Sequence, residues 1–122
     1  MKNRKPVTIR IKDTGDILAS SADPLRFESN LYFDERDVNM DLLEVTDRIY
    51  TCSYKGVCFW IDLRDQNGNQ GESEVMETNV AWVYRDPLPG YEHIKNRIGF
   101  SSWDSQHLEV KFGGSRGQEE KE

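Results

Sequence analysis

Apolar and polar positions alternate through much of this chain with the period of two that marks half-buried strands. Val7, Ile9 and Ile11 alternate with Thr8, Arg10 and Lys12. Asp13-Thr14-Gly15-Asp16 then reads as a turn, and Ile17-Leu18-Ala19 begins the return strand. Ser20–Pro24 breaks that strand. Arg26–Phe33 forms a third β-type region in which Leu31, Tyr32 and Phe33 are apolar in succession. Asp34–Thr46 departs from the alternation: Asp34 or Asp37 suits the cap of a helix of one or two turns, with Val38, Leu42 and Leu43 on one side, or the segment is an irregular lead-in to a strand.

The stretch Thr51–Leu63 organises the middle of the chain. Ile49–Tyr54 and Val57–Leu63 are rich in β-branched and aromatic residues, and Lys55-Gly56 between them offers a residue tolerant of positive φ for a tight reversal. The second run is apolar at Val57, Phe59, Ile61 and Leu63, and also at Cys58 and Trp60 on the opposite face, which predicts a strand central in a sheet. A reversal at Lys55-Gly56 sets Cys52 against Phe59 and turns Cys58 to the other face, so a disulfide is not expected. Arg64–Ser73 is the most loop-like interior segment. Val75–Tyr84 returns to strand character with Val80, Trp82 and Tyr84 on one face, and Asp86–Gly90 ends it. Ile94–Phe100 and His107–Phe112 supply the last two strands.

These elements predict a single all-β domain over residues 1–112, sandwich or barrel-like, with at most minor helix. Residues 113–122 carry no apolar side chain to bury and are predicted to be a disordered tail. The whole chain of 122 residues is the size of one domain. Its 22 acidic and 16 basic side chains give a formal net charge of −6, which disfavours non-specific association with nucleic acid or anionic membrane. No apolar run approaches the ~18 residues of a membrane span. The basic start runs straight into an alternating strand and not into a secretory h-region, and two cysteines are too few for a disulfide framework. A soluble, cytoplasmic protein is the resulting expectation.

Three spellings, in order, carry a family resemblance: Leu31-Tyr32-Phe33 with Asp37-Val38, then Cys52-Ser53-Tyr54-Lys55-Gly56, then Ala81-Trp82-Val83-Tyr84-Arg85-Asp86-Pro87. Together they resemble the domain of unknown function 427 family, whose usual form looks like Y-Y-x-P-x-x-D-V, C-P-Y-K-G-x-A-x-Y and A-W-x-Y-x-x-P. The resemblance runs from about Val7 to Val110. Asp34 and Ser53 stand where the family has proline, Cys58 where it has alanine, and Trp60 where it has tyrosine. The resemblance implies a β-tent fold, two antiparallel sheets meeting at an angle, as in the drug-binding domain of cereblon. Those relatives typically carry a zinc site of paired C-x-x-C knuckles, and the family is sometimes labelled nucleotidyltransferase.

The residues give the zinc site no support. Cys52 and Cys58 are not spaced C-x-x-C, Lys55 stands where a second knuckle cysteine would, and His93 and His107 are isolated. No metal and no cofactor are expected. Nucleotidyl transfer needs carboxylates holding a divalent metal beside a phosphate-cradling loop, commonly a Gly-Ser pair followed by an Asp-x-Asp strand. Gly114-Ser115 sits in the tail with no such strand after it, and Asp34, Glu35 and Asp37 cluster where a helix start would use acids as caps.

Lys55, taken alone, is a solvated turn residue before glycine. Its other role is an ammonium at the rim of an aromatic pocket, facing a carboxylate, phosphate or carbonyl oxygen. The family motif keeps a lysine here and brings the two roles level. Tyr32, Tyr54, Trp60, Trp82 and Tyr84 lie on strands expected to be neighbours, where they can pack the core or line a ligand cleft. Trp103 lies outside the shared motifs and is expected at the surface. The leading expectation is a small-molecule binding module, its cleft between the two sheets lined by these rings and Lys55. The alternatives are an enzyme acting on a nucleotide or phosphorylated metabolite, and a protein-interaction domain using a strand edge.

Overall fold

The computed structural model describes residues 5–65 and 74–113. They form nine strands: β1 (Val7–Ile11), β2 (Ile17–Ser21), β3 (Leu25–Phe27), β4 (Asn30–Phe33), β5 (Leu43–Cys52), β6 (Gly56–Asp65), β7 (Glu74–Val83), β8 (Ile98–Ser101) and β9 (Leu108–Phe112). All strand pairs are antiparallel, in a three-stranded sheet β2-β1-β9 and a six-stranded sheet β3-β4-β8-β7-β6-β5. This is the β-tent arrangement. Among the described residues, helix is confined to single 3-10 turns at Glu35–Asp37, Met40–Leu42 and Glu92–Ile94. No helix among the described residues is long and apolar enough to cross a membrane.

The alternation decides which faces meet. Val7, Ile9 and Ile11 of β1 are at most 3% exposed and join Leu18 and Leu108 on the inner face of the small sheet. The large sheet answers with Leu31 and Phe33 of β4, Ile61 and Leu63 of β6, Ala81 and Val83 of β7, and Ile98 and Phe100 of β8. The main core therefore lies between the sheets. Burying each such aliphatic or aromatic side chain contributes about 1.5–3 kcal/mol. The outer face of the large sheet carries a second buried group, Tyr32, Cys58, Tyr84 and Ile94.

Several expected elements come out differently. Arg26–Phe33 is not one strand but a hairpin: β3 and β4 are joined by Glu28 and Ser29, both at positive φ (54° and 66°). Such a two-residue loop matches the strand twist but normally selects Asn or Gly, so no Gly signal announced it. The one or two helical turns expected after Asp34 are two single 3-10 turns, the first capped by Asp34, whose Oδ1 accepts from Arg36 N at 3.1 Å. Leu43–Thr46 belongs to β5. The short strand expected within Ile94–Phe100 starts at Ile98, after the 3-10 turn Glu92–Ile94. Of the expected loop, Arg64 and Asp65 end β6, and residues 66–73 lie outside the described residues. So do residues 114–122 of the expected tail.

Both partners of β6 bulge against Asp62. The β5 register jumps from Val45↔Ile61 to Ile49↔Phe59, and the β7 register from Ile61↔Ala81 to Leu63↔Glu77. Asp62 is 2% exposed and ties the two bulges together, accepting from Arg48 Nη2 at 2.5 Å and from Asn79 N at 3.0 Å. Asn79 holds φ at 57°, a conformation that Asn tolerates better than most residues. The β7 bulge also sends Val80 to the inner core, away from the face it was expected to share with Trp82 and Tyr84.

Candidate functional site

The site begins with the β5–β6 hairpin. Cys52 pairs with Gly56, so the loop is Ser53-Tyr54-Lys55, and Gly56 holds φ at 109°. A Cβ at Gly56 would lie 3.4 Å from both Leu88 N and the Leu88 side chain, where Leu88 N donates to Lys55 O at 2.9 Å. Glycine is thus needed both for the turn and for the close approach of the 86–90 segment.

A three-residue loop corrects the expected register. Cys52 does not oppose Phe59; Tyr50 opposes Cys58 and Ile49 opposes Phe59. The shift is by an odd number of residues, so faces exchange, and Cys52 and Cys58 share the outer face of the sheet. Both are free thiols.

That outer face carries a row of rings, one per strand. Tyr50 to Trp60, Trp60 to Trp82 and Trp82 to Tyr32 are each 6.2 Å between centroids, and Tyr32 to Phe27 is 6.5 Å. Trp82 meets both Trp60 and Tyr32 edge-on at 82°, a favoured aromatic geometry. The row crosses β8 at Gly99, which pairs with Trp82 on one side and Tyr32 on the other. With no side chain there, Trp82 Nε1 donates to Tyr32 Oη at 3.1 Å across the gap.

Above the row lies a cavity of about 180 Å³. Five of the six residues singled out from the sequence line it: Tyr32, Lys55, Trp60, Trp82 and Tyr84. Tyr54 does not; it is 72% exposed at the hairpin tip. Trp103 is likewise exposed, away from this cavity. Nor does the cavity lie between the sheets, as expected, since that space is filled by the main core. Sequence reasoning missed Asn30, Tyr50 and Cys58, which complete the lining. Strand parity already put Cys58 on the face of Trp60, and the correct hairpin register would have added Tyr50 opposite it.

Electrostatically the site turns on Lys55. Its side chain is 16% exposed, and its Nζ donates to a carboxylate oxygen of Glu28, at the tip of the β3–β4 hairpin. Burial pulls the lysine pKa down, but the hydrogen bond and charge of Glu28, with smaller help from Cys52 and Tyr32, more than offset it and leave the pKa raised. Lys55 is therefore charged throughout the physiological range. It is not paired with Asp62, whose partner is Arg48. Burial raises the phenol of Tyr84 above the usual tyrosine range, and the neighbouring Cys58 thiol adds to the shift. Burial also raises Tyr32 and Cys58. Cys52 moves the other way, because the backbone N–H groups of Lys55 and Tyr54 point at its sulfur and favour the thiolate.

The lining offers hydrophobic faces, phenol and amide groups for hydrogen bonds, and one ammonium. Among the described residues, no three His, Cys, Asp or Glu side chains come together as a metal site.

No curated protein matches this chain. Among solved structures, the crystal structure of the Mis18 "Yippee-like" domain superposes with a TM-score of 0.58, covering 89% of this chain and 98% of that one. The two are 14% identical, so the likeness is one of fold. The family model described as domain of unknown function DUF427 matches residues 2–114, nearly the whole sequence. The order of the three motifs, the two antiparallel sheets and this match agree: the chain belongs to the domain of unknown function 427 family.

Proposed function

We propose that the outer-face cavity is a binding site for a small molecule with a flat apolar body and an oxygen-bearing head. The observation that carries this reading is one ammonium, mostly sequestered from water, in a concave site otherwise lined mainly by aromatic rings. A pocket with a predominantly apolar lining and few placed polar groups is the usual form of a small-molecule site. Size sharpens the reading. About 180 Å³ is close to the roughly 150 Å³ of an apolar cavity that accepts benzene, so the cleft, which opens to solvent, has room for a single ring.

The same lining weighs against nucleotidyl transfer. The phosphates of a nucleoside triphosphate call for more than one cation or a carboxylate-held metal, and this lining offers one ammonium. The nearby carboxylate of Glu28 is engaged with Lys55.

The test is a ligand screen by thermal shift and tryptophan fluorescence on wild type beside Lys55→Met. Binding of an oxygen-bearing ring compound that weakens at least tenfold in Lys55→Met, with the fold retained, supports the reading. Equal affinity in both proteins would remove Lys55 from recognition and with it the proposal.

A further inference from the structure

The ion pair at the mouth of the cavity suggests what the head group is. Lys55 lines the cavity, yet its charge is answered by Glu28, which stands on the β3–β4 turn and is itself no part of the lining. Glu28 is 47% exposed, whereas Lys55 is 16% exposed. The carboxylate therefore reaches inward from a wet position to a cation in a drier one. Glu28 and the following Ser29 are both left-handed non-glycine residues, so the turn that delivers this carboxylate is one that neither residue favours.

We propose that Glu28 is an internal stand-in for the ligand: the cavity takes a monocyclic aromatic or heteroaromatic carboxylate, whose carboxylate displaces Glu28 from Lys55. This rests on the binding reading given above and adds the ligand class and the competing group. A carboxylate fits better than a phosphate for two reasons. The group already held there is a carboxylate, and one ammonium balances one negative charge, whereas a phosphate monoester dianion would carry a surplus into an aromatic cavity. After exchange the ligand carboxylate supplies the counter-charge that Glu28 gave, so the ammonium stays paired. The displaced Glu28 costs little to release, because it swings toward solvent. Trp60 and Trp82 pack the ring, while the Tyr32 and Asn30 side chains stand beside it.

The experiment uses the full chain in a Trp103→Phe background, so that emission reports Trp60 and Trp82, the other two of three tryptophans. Benzoate, benzamide and phenyl phosphate are titrated into this protein and into its Glu28→Gln, Glu28→Asn and Lys55→Met variants, with circular dichroism confirming the fold of each. Asn tolerates the left-handed turn, so it preserves the test if Gln disturbs the hairpin. Benzoate is expected to bind, and to bind about fivefold tighter in both Glu28 variants, the range spanned by one partly exposed ion pair. It should lose at least tenfold in Lys55→Met. Benzamide should bind more weakly than benzoate and be indifferent to Glu28.

If benzoate binding needs Lys55 but does not tighten in either Glu28 variant, the stand-in is overturned and the binding site survives. An equal gain for benzamide would make Glu28 a steric lid and overturn the charge exchange. Tighter binding of phenyl phosphate than of benzoate overturns the ligand class. If no probe binds any folded variant, both the inference and the binding reading fall.

Discussion

Gly99→Ala tests whether the aromatic row is a built site or incidental packing. A Cβ at this position would lie 2.5 Å from Trp82 Nε1, 2.7 Å from Trp82 Cε2 and 2.8 Å from Tyr32 Cε2. Contacts that short cannot persist, so one ring must rotate or the strands must part. Overpacking of this kind costs about 1–3 kcal/mol. The indole–phenol hydrogen bond, 3.1 Å long, goes with it, at about 1 kcal/mol. Ala in a strand returns about 0.5–1 kcal/mol over Gly by reducing unfolded-state entropy. The net is a loss of about 1–3.5 kcal/mol, which for a domain of this size lowers Tm by roughly 4–14 °C. Thermal melts by circular dichroism measure the loss, and tryptophan emission reports the displaced indole. The effect should depend on Trp82. In a Trp82→Phe background, which removes two of the three clashing atoms, Gly99→Ala should cost at least about 1 kcal/mol less. A Tm change within about 2 °C, or the same cost in both backgrounds, would refute the reasoning, because Gly99 would then not be the gap that admits the indole.

Other outcomes follow from the ion pairs and thiols. Asp62→Ala leaves the Asn79 N–H and the Arg48 guanidinium without their buried acceptor and should destabilise by about 3 kcal/mol, read by urea melts. Lys55→Met should change stability by no more than about 1 kcal/mol, since Glu28 is half exposed; a larger loss would make Lys55 part of the scaffold. That difference has a defined pH dependence. The folded-state pKa of Lys55 is raised, so the ion pair stabilises fully below the ordinary value of 10.5 and is lost as pH rises through the folded value. The gap between wild type and Lys55→Met should therefore hold from neutral pH up to about 10 and close in stronger alkali; a gap that closes near neutrality would contradict the pairing. Iodoacetamide should label Cys52 well before Cys58, because the loop N–H groups favour the Cys52 thiolate while Cys58 is 2% exposed. Mass spectrometry of a short labelling pulse reads the order, and the reverse order would refute it.

Period-two alternation in β1 and β7 and the continuous apolar run of β6, together with turn residues at Gly15 and Gly56, were enough to read an all-β chain from the sequence, because strand faces are local properties. Tyr32, Trp60 and Trp82 were legible for the same reason, since each sits at a strand position of defined parity, while Lys55 and Tyr84, just outside the strands, were legible from the shared motifs. What the pattern could not decide was where those faces point. Leu31, Tyr32 and Phe33 are apolar in succession, so the sequence offers two buried faces without saying which one packs on the second sheet. Only tertiary pairing sends Leu31 and Phe33 to the core and Tyr32 to the outer cavity. Register is equally non-local: a three-residue loop in place of two inverted the facing of Cys58 relative to Cys52 and brought Tyr50 into the lining. Glu28 was invisible for a third reason. Its turn lacks the glycine or asparagine that such hairpins select, and its partner lies 27 residues away on another hairpin, so only the packed sheet brings that carboxylate to Lys55.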